Sequence, residues 1–355
     1  MIEYWLLFAY PALMALAYPS QASRGQPVRG QGLAMWGFVL LYTLLGGLRF
    51  ETGGDWLTYD EMFEDMRVDT LGYALTSTDP LYGALNWLSA QFDTGIYLVN
   101  IVCCFVLALG VVRVARTFRE PWLAVTIAVP YLLIVVGLGY VRQGASIGMM
   151  LIALASLDRA RTFRTLLQLA LAVGFHSTAV IAFPLFMVAL TRRHKALSLM
   201  GAVLGAALFL LVLMPRLDRL EAGYFDAEYE SGGALIRILM GLLPAGLILA
   251  RWRSFPASER VRSVWLMIAG ANVLALVGLV VLPSSTAVDR IALFVSVIQL
   301  AAFGEIRDLS GMVQRAGLLL RLVMIGLAAA VQTVWLVFAT HAEFWVPYNA
   351  IFYAQ

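Results

Sequence analysis

The sequence predicts an all-α, polytopic integral membrane protein of about twelve transmembrane or re-entrant helices. Three observations predict it. Of 355 residues, 61% are hydrophobic and the mean hydropathy is +0.82. Only 13% are charged, where a soluble domain carries about 25%. The apolar residues come in runs long enough to span hydrocarbon, and the basic residues collect in alternate gaps between them.

Taken in order, the apolar runs place helices over Ile2–Tyr18, Gln31–Leu48, Gly95–Val112, Pro121–Gly139, Gln143–Leu157, Leu197–Met214, Ala234–Ala250, Ser263–Leu282, Ile291–Gly304 and Leu322–Thr340. The first run has no basic stretch before it and no small-residue cleavage site, so it reads as a retained helix. Cys103 and Cys104 are adjacent inside the third run and read as packing residues.

One segment resists a simple reading. Between Arg159, Arg161 and Arg164 on one flank and Arg192, Arg193 and Lys195 on the other lie the 26 mainly apolar residues 165–190. Both flanks are basic and belong on the same side, yet the segment is too short for two full spans of about 20 residues each. The economical solution is a pair of short helices, Thr165–Phe175 and Ser177–Leu190, meeting at His176. Ser177 and Thr178 are candidate caps for the second, and Pro184 a candidate kink. The alternative is one long tilted helix with a misassigned flank.

The positive-inside rule then sorts the loops of a single transmembrane domain, residues 1–355. Eighteen of the 25 basic residues, but only five of the 22 acids, fall on the cytoplasmic side. The other side carries two long loops, 49–94 and 215–233, both rich in acids and aromatics. Such loops suit carbohydrate, because carboxylates bind hydroxyls and aromatic faces cover sugar rings. Solvated loops with interfacial anchors explain the same composition.

The sequence has no Walker A loop, no GxGxxG, HExxH or GxSxG motif and no paired CxxC. Chemistry here must use a substrate that already carries its activation. Of the outward basic residues, Arg49, Arg142 and Arg290 sit at helix ends with little chain to hold them in water. Each either snorkels or faces a polar cavity, and a guanidinium is a natural clamp for phosphate oxygens. Arg142 is the best placed, because Gln143 and Ser146 extend a polar face down its helix. His176 is the one histidine inside an apolar segment, and a neutral imidazole there can accept a proton. Asp55 and Asp289 are rival bases or orienting groups. Asp289 beside Arg290 also fits plain charge neutralisation at a helix start.

These residues resemble a family. Arg49, Gly53, Asp55 and Tyr59 fit the R-x-x-x-G-x-D-x-x-x-Y signature of EpsG-type proteins, a branch of the Wzy-like polysaccharide (O-antigen) polymerases. Tyr140-Val-Arg142-Gln143-Gly144 resembles that family's R-Q helix start, with Gly144 in place of Ala. Phe175-His176-Ser177-Thr178-Ala179 resembles its H-x-S-A segment, with Ser177 directly after His176. Order and spacing agree over roughly residues 40–190; beyond residue 200 the likeness is in hydropathy and Asp289-Arg290.

The resemblance implies a fold of the membrane (C-type) glycosyltransferase kind and an inner-membrane enzyme. It implies the joining of oligosaccharide repeat units carried on undecaprenyl pyrophosphate, with a lipid-linked donor and acceptor and neither metal, cofactor nor nucleic acid. A chain-length regulator is a further partner it allows. On that reading Arg142, Arg290 and Arg49 bind the pyrophosphate. His176 or Asp55 is the base, and Tyr59, Trp56, Gln143 and Asp289 face sugar. Three competitors are an O-antigen-ligase type of glycan transferase, a polyprenyl-linked glycan transporter or flippase, and a membrane acyltransferase.

Overall fold

A computed structural model describes residues 1–18, 30–159, 162–191, 234–281, 285–310 and 317–353, together with 200 and 203. Most of the expected span Leu197–Met214, the whole loop 215–233 and the basic residues Arg161, Arg192, Arg193 and Lys195 lie outside the described residues.

The described chain is helical, with no strand and one isolated bridge, between Arg49 and Ala350. Among the described residues four helices are long and apolar enough to cross a membrane: α6 (Gly95–Ala115), α7 (Pro121–Gly139), α12 (Glu259–Val281) and α16 (Gly317–Phe338). Shorter apolar helices are α1 (Ile2–Ala17), α2 (Gln31–Gly47), α8 (Val141–Ser156), α9 (Thr162–Phe175), α10 (Ala182–Thr191) and α11 (Ala234–Ala250). The loop after α2 folds into three helices of its own, α3 (Trp56–Arg67), α4 (Leu71–Ser77) and α5 (Pro80–Gln91). The described residues are those of a helical membrane protein.

The central element is α7, every residue of which is buried. Pro121 starts it at a position where a missing N–H costs nothing. Pro130 then removes a donor from within, and residues Val129–Val136 adopt the wider π-helical turn before α-helix resumes at Gly137. Around it, α6 packs against α2 and α8. Gly110 on α6 and Gly148 on α8 sit where the two backbones touch, and a Cβ on either would run into the other helix.

Two expectations change. The single span Ile291–Gly304 is two helices, α13 (Ser285–Val295) and α14 (Ile298–Gly304), parted at Ser296-Val297. The break is held by Asn272 of α12, whose amide donates to the freed Val295 carbonyl at 2.9 Å, and by Ser296, which turns its hydroxyl back to Leu293 O at 2.8 Å. The second concerns the segment after α9. The helix ends at Phe175, His176 is extended (φ −157°), and a 3₁₀ turn over Ser177–Ile181 leads into α10. Neither Ser177 nor Thr178 caps it; an aspartate from the loop after α2 does, as shown below.

The last described segment returns to the end of the molecule where α2 stops. Phe50 N–H donates to Asn349 O at 3.0 Å, Ile351 N–H to Leu48 O at 2.9 Å and Gly53 N–H to Phe344 O at 2.7 Å. At the opposite end the buried Glu120 holds Arg321 at 2.8 Å and Arg307 at 3.4 Å, and Arg119 meets Asp308 at 3.2 Å. The last of these helices are α15 (Ile306–Ser310) and α16, so this ion-pair network ties the start of α7 to the C-terminal third.

Candidate functional site

The loop leaves α2 through a tight turn. Arg49 is fully buried and gives Nε to Thr52 O at 2.9 Å and Nη1 to Gly46 O, with its guanidinium 5.3 Å over the Trp56 ring. Its contacts therefore fasten the turn itself. Gly53, at φ +109°, lies against the Leu138-Gly139 backbone, where a side chain would collide with Leu138 O. That approach sets the start of α3, and so the direction of Asp55 and Tyr59, against the junction between α7 and α8.

Arg142 projects from the first turn of α8. Its Nη1 donates to Thr78 Oγ1 at 2.8 Å and lies 3.4 Å from Asp79 Oδ2. Its guanidinium carbon stands 5.6 Å from the Tyr59 ring centre and 5.5 Å from that of Tyr82. The cation is thus held between two aromatic faces and one carboxylate, a desolvated arrangement that keeps it charged without tying up every donor.

Asp79 is the residue that sequence reasoning missed. It precedes Pro80 at the first position of α5, which reads as an ordinary helix cap. In the structure its side chain makes no capping bond to its own helix. One oxygen accepts the Ser177 N–H at 3.0 Å, the other lies 3.1 Å from His176 Nδ1, and the residue is 2% exposed. His176 Nε2 is 3.3 Å from Thr178 Oγ1, and the imidazole stacks on Phe294 of α13 at 6.5 Å.

Asp55 and Arg290 complete the group. Asp55 stands at the head of α3 without capping it. Burial pushes its carboxyl above the usual range, and Arg290 and Arg142 oppose that rise. Tyr59, wholly enclosed, has its phenol pushed up to about 12 by burial, with Arg142 pulling it down and Asp55 up. The Arg290 carbonyl accepts from Gln143 Nε2 at 2.6 Å, while its guanidinium makes no hydrogen bond among the described residues. Its charge acts on Asp55, Tyr59 and Tyr140.

The structure thus brings Asp55, Tyr59, Arg142, Gln143, His176 and Arg290 together at one end of the helices. Three of the residues expected to face sugar, Tyr59 among them, have other occupations. Trp56 is buried beneath Arg49 and Tyr59 beneath Arg142, so these rings seat arginines and offer no open face to a sugar. Asp289 does not neutralise its neighbour Arg290. It forms a two-pronged pair with Arg237 of α11, at 2.7 and 2.6 Å. Arg237 shows in the sequence as a charge inside the apolar run Ala234–Ala250, but its partner does not, and Asp79 is recognised only by its distant partners.

No curated protein and no solved structure matches the chain significantly. The profile of the EpsG family matches residues 34–350, a stretch that runs from α2 to the returning C-terminal segment and takes in every residue of the site. The chain belongs to the EpsG family, a membrane family associated with a polysaccharide-polymerase type of function.

Proposed function

We propose that the protein is a polysaccharide polymerase, a glycosyltransferase that joins undecaprenyl-pyrophosphate-linked oligosaccharide units at the periplasmic face of the bacterial inner membrane. One observation carries this reading beyond family membership. Arg142 and His176 meet on one carboxylate, with Arg290 and Asp55 in electrostatic reach, at the end of the molecule opposite the Glu120 network.

In the reaction an acceptor sugar hydroxyl attacks the anomeric carbon of the donor. The C–O bond to the lipid pyrophosphate breaks, and its electron pair leaves with the phosphate. The growing negative charge there is met by Arg142 and Arg290, cations already positioned by the fold, and preorganised charges of this kind stabilise a transition state. The hydroxyl proton passes to His176, or to Asp55, whose raised carboxyl makes it a stronger base than an exposed aspartate. Arg49 and Trp56 hold the turn that carries Asp55, and Gln143 positions the Arg290 backbone. The donor set needs no metal, since the two guanidinium groups supply the positive charge.

The test uses a deletion strain complemented with single variants at matched expression. Arg142→Ala and His176→Ala are expected to leave single repeat units on the lipid carrier and no long polymer, on gels of the extracted glycan. Full-length polymer from both would refute the assignment.

A further inference from the structure

We infer that Asp79 is a positioning residue that fixes the tautomer of His176 and joins it to Arg142. The inference rests on the reading of His176 as the base. His176 Nδ1 and Asp79 Oδ2 are 3.1 Å apart in a closed environment. An ionised carboxylate only accepts hydrogen bonds, so the ring hydrogen sits on Nδ1. Nε2 is left with its lone pair, and its neighbour at 3.3 Å, Thr178 Oγ1, is a hydroxyl that can donate to it or be displaced by a sugar hydroxyl.

The second Asp79 oxygen fastens the backbone. By accepting the Ser177 N–H at 3.0 Å it satisfies the first donor of the turn after His176, a bond no residue of that segment provides. Ring and backbone of the same residue are therefore held by one carboxylate from a loop about a hundred positions earlier in sequence. That carboxylate also faces Arg142, which binds Thr78 more closely, at 2.8 Å. The charged groups facing His176 are Asp79 from the loop, Arg142 from α8 and Arg290 from α13.

The step this serves is balanced. The sugar hydroxyl forms its bond to the anomeric carbon, and its proton goes to His176 Nε2. The resulting imidazolium is paired with Asp79, while the pyrophosphate leaves with the electron pair. A neutral amide at position 79 supplies no charge for the imidazolium and can donate to Nδ1, which turns the ring to the opposite tautomer.

The experiment has two arms on the full-length protein in bilayers. With His194→Gln and His341→Gln in place, ¹⁵N histidine resonances report His176 alone. The expected result is hydrogen on Nδ1 and a bare Nε2, reversed or mixed in Asp79→Asn; an Nε2–H ring in the unsubstituted site would overturn the inference. In the kinetic arm, Asp79→Asn is expected to lower kcat about 100-fold with little change in KM, and to move the acid limb of the pH–rate profile to lower pH. Asp79→Glu, which keeps a carboxylate, recovers part of the rate. Thr78→Val, which removes the shorter Arg142 bond, leaves the tautomer unchanged. Unaltered kcat and pH profile in a folded Asp79→Asn would also refute it. Should His176→Ala polymerise normally, the base assignment fails, and the resonance arm still decides whether Asp79 sets the ring.

Discussion

At the residue scale, the molecule shows how a carboxylate becomes useful by being uncomfortable. Asp55 does not cap the helix it begins, and burial outweighs the help of Arg290 and Arg142, so its carboxyl holds a proton more tightly than in the unfolded chain. The sign follows directly. Stability is lost as pH rises through the unfolded value, about 3.9, and on through the raised folded one, because the ionised form is disfavoured by folding. Asp55→Asn is therefore expected to raise the melting temperature at pH 7 and to have no such effect near pH 3, measured by thermal unfolding in detergent. An equal gain at both pH values would contradict the argument. At this scale the sequence was informative about residue type and poor about partners. Arg142 and His176 stand out as polar residues in apolar runs, whereas Asp79 is hidden by a neighbouring proline that explains it too easily.

At the scale of elements, apolar runs locate most helices to within a few residues, because burying backbone polar groups in lipid leaves few other options. The breaks are harder to see. The interruption at Ser296-Val297 depends on Asn272 reaching across from α12, and nothing in the run Ile291–Gly304 announces it. The turn after His176 is capped from α5, so the Ser177-Thr178 pair looks like a cap and is none. The glycines are a sharper signal. A Cβ at Gly139 would lie 2.6 Å from the Trp345 ring, and Gly53 adopts a φ of +109°. Gly139→Ala and Gly53→Ala are each expected to cost about 1–3 kcal/mol, read as a lower midpoint of thermal inactivation. Gly54→Ala, whose Cβ would meet Trp345 at an ordinary 3.4 Å, is the tolerated control.

At the scale of the whole molecule, the uneven sharing of basic and acidic residues between loops is legible from sequence, while the ion pairs that cross between helices are not. Asp289 sits beside Arg290 in sequence yet binds Arg237, 52 positions away. Removing one member takes the two-pronged partner away from a largely buried charge. Arg237→Ala and Asp289→Ala are each expected to destabilise by about 3 kcal/mol or more, with the double variant well below the sum of the two; additive losses would show the pair to be incidental. The return of the last described segment to the turn at Arg49 has a consequence in time. Phe50, Gly53 and Thr52 bond to Asn349 and Phe344, and Tyr4 donates to Trp345 O at 2.7 Å, so early and late residues share one joint. A chain made and inserted from its N-terminus carries the Arg49 turn for some 300 residues of synthesis before that joint can close. The end of the molecule that gathers Arg142, Asp79 and His176 is thus among the last parts of the protein to become rigid, and a polypeptide released early lacks the joint that seats it.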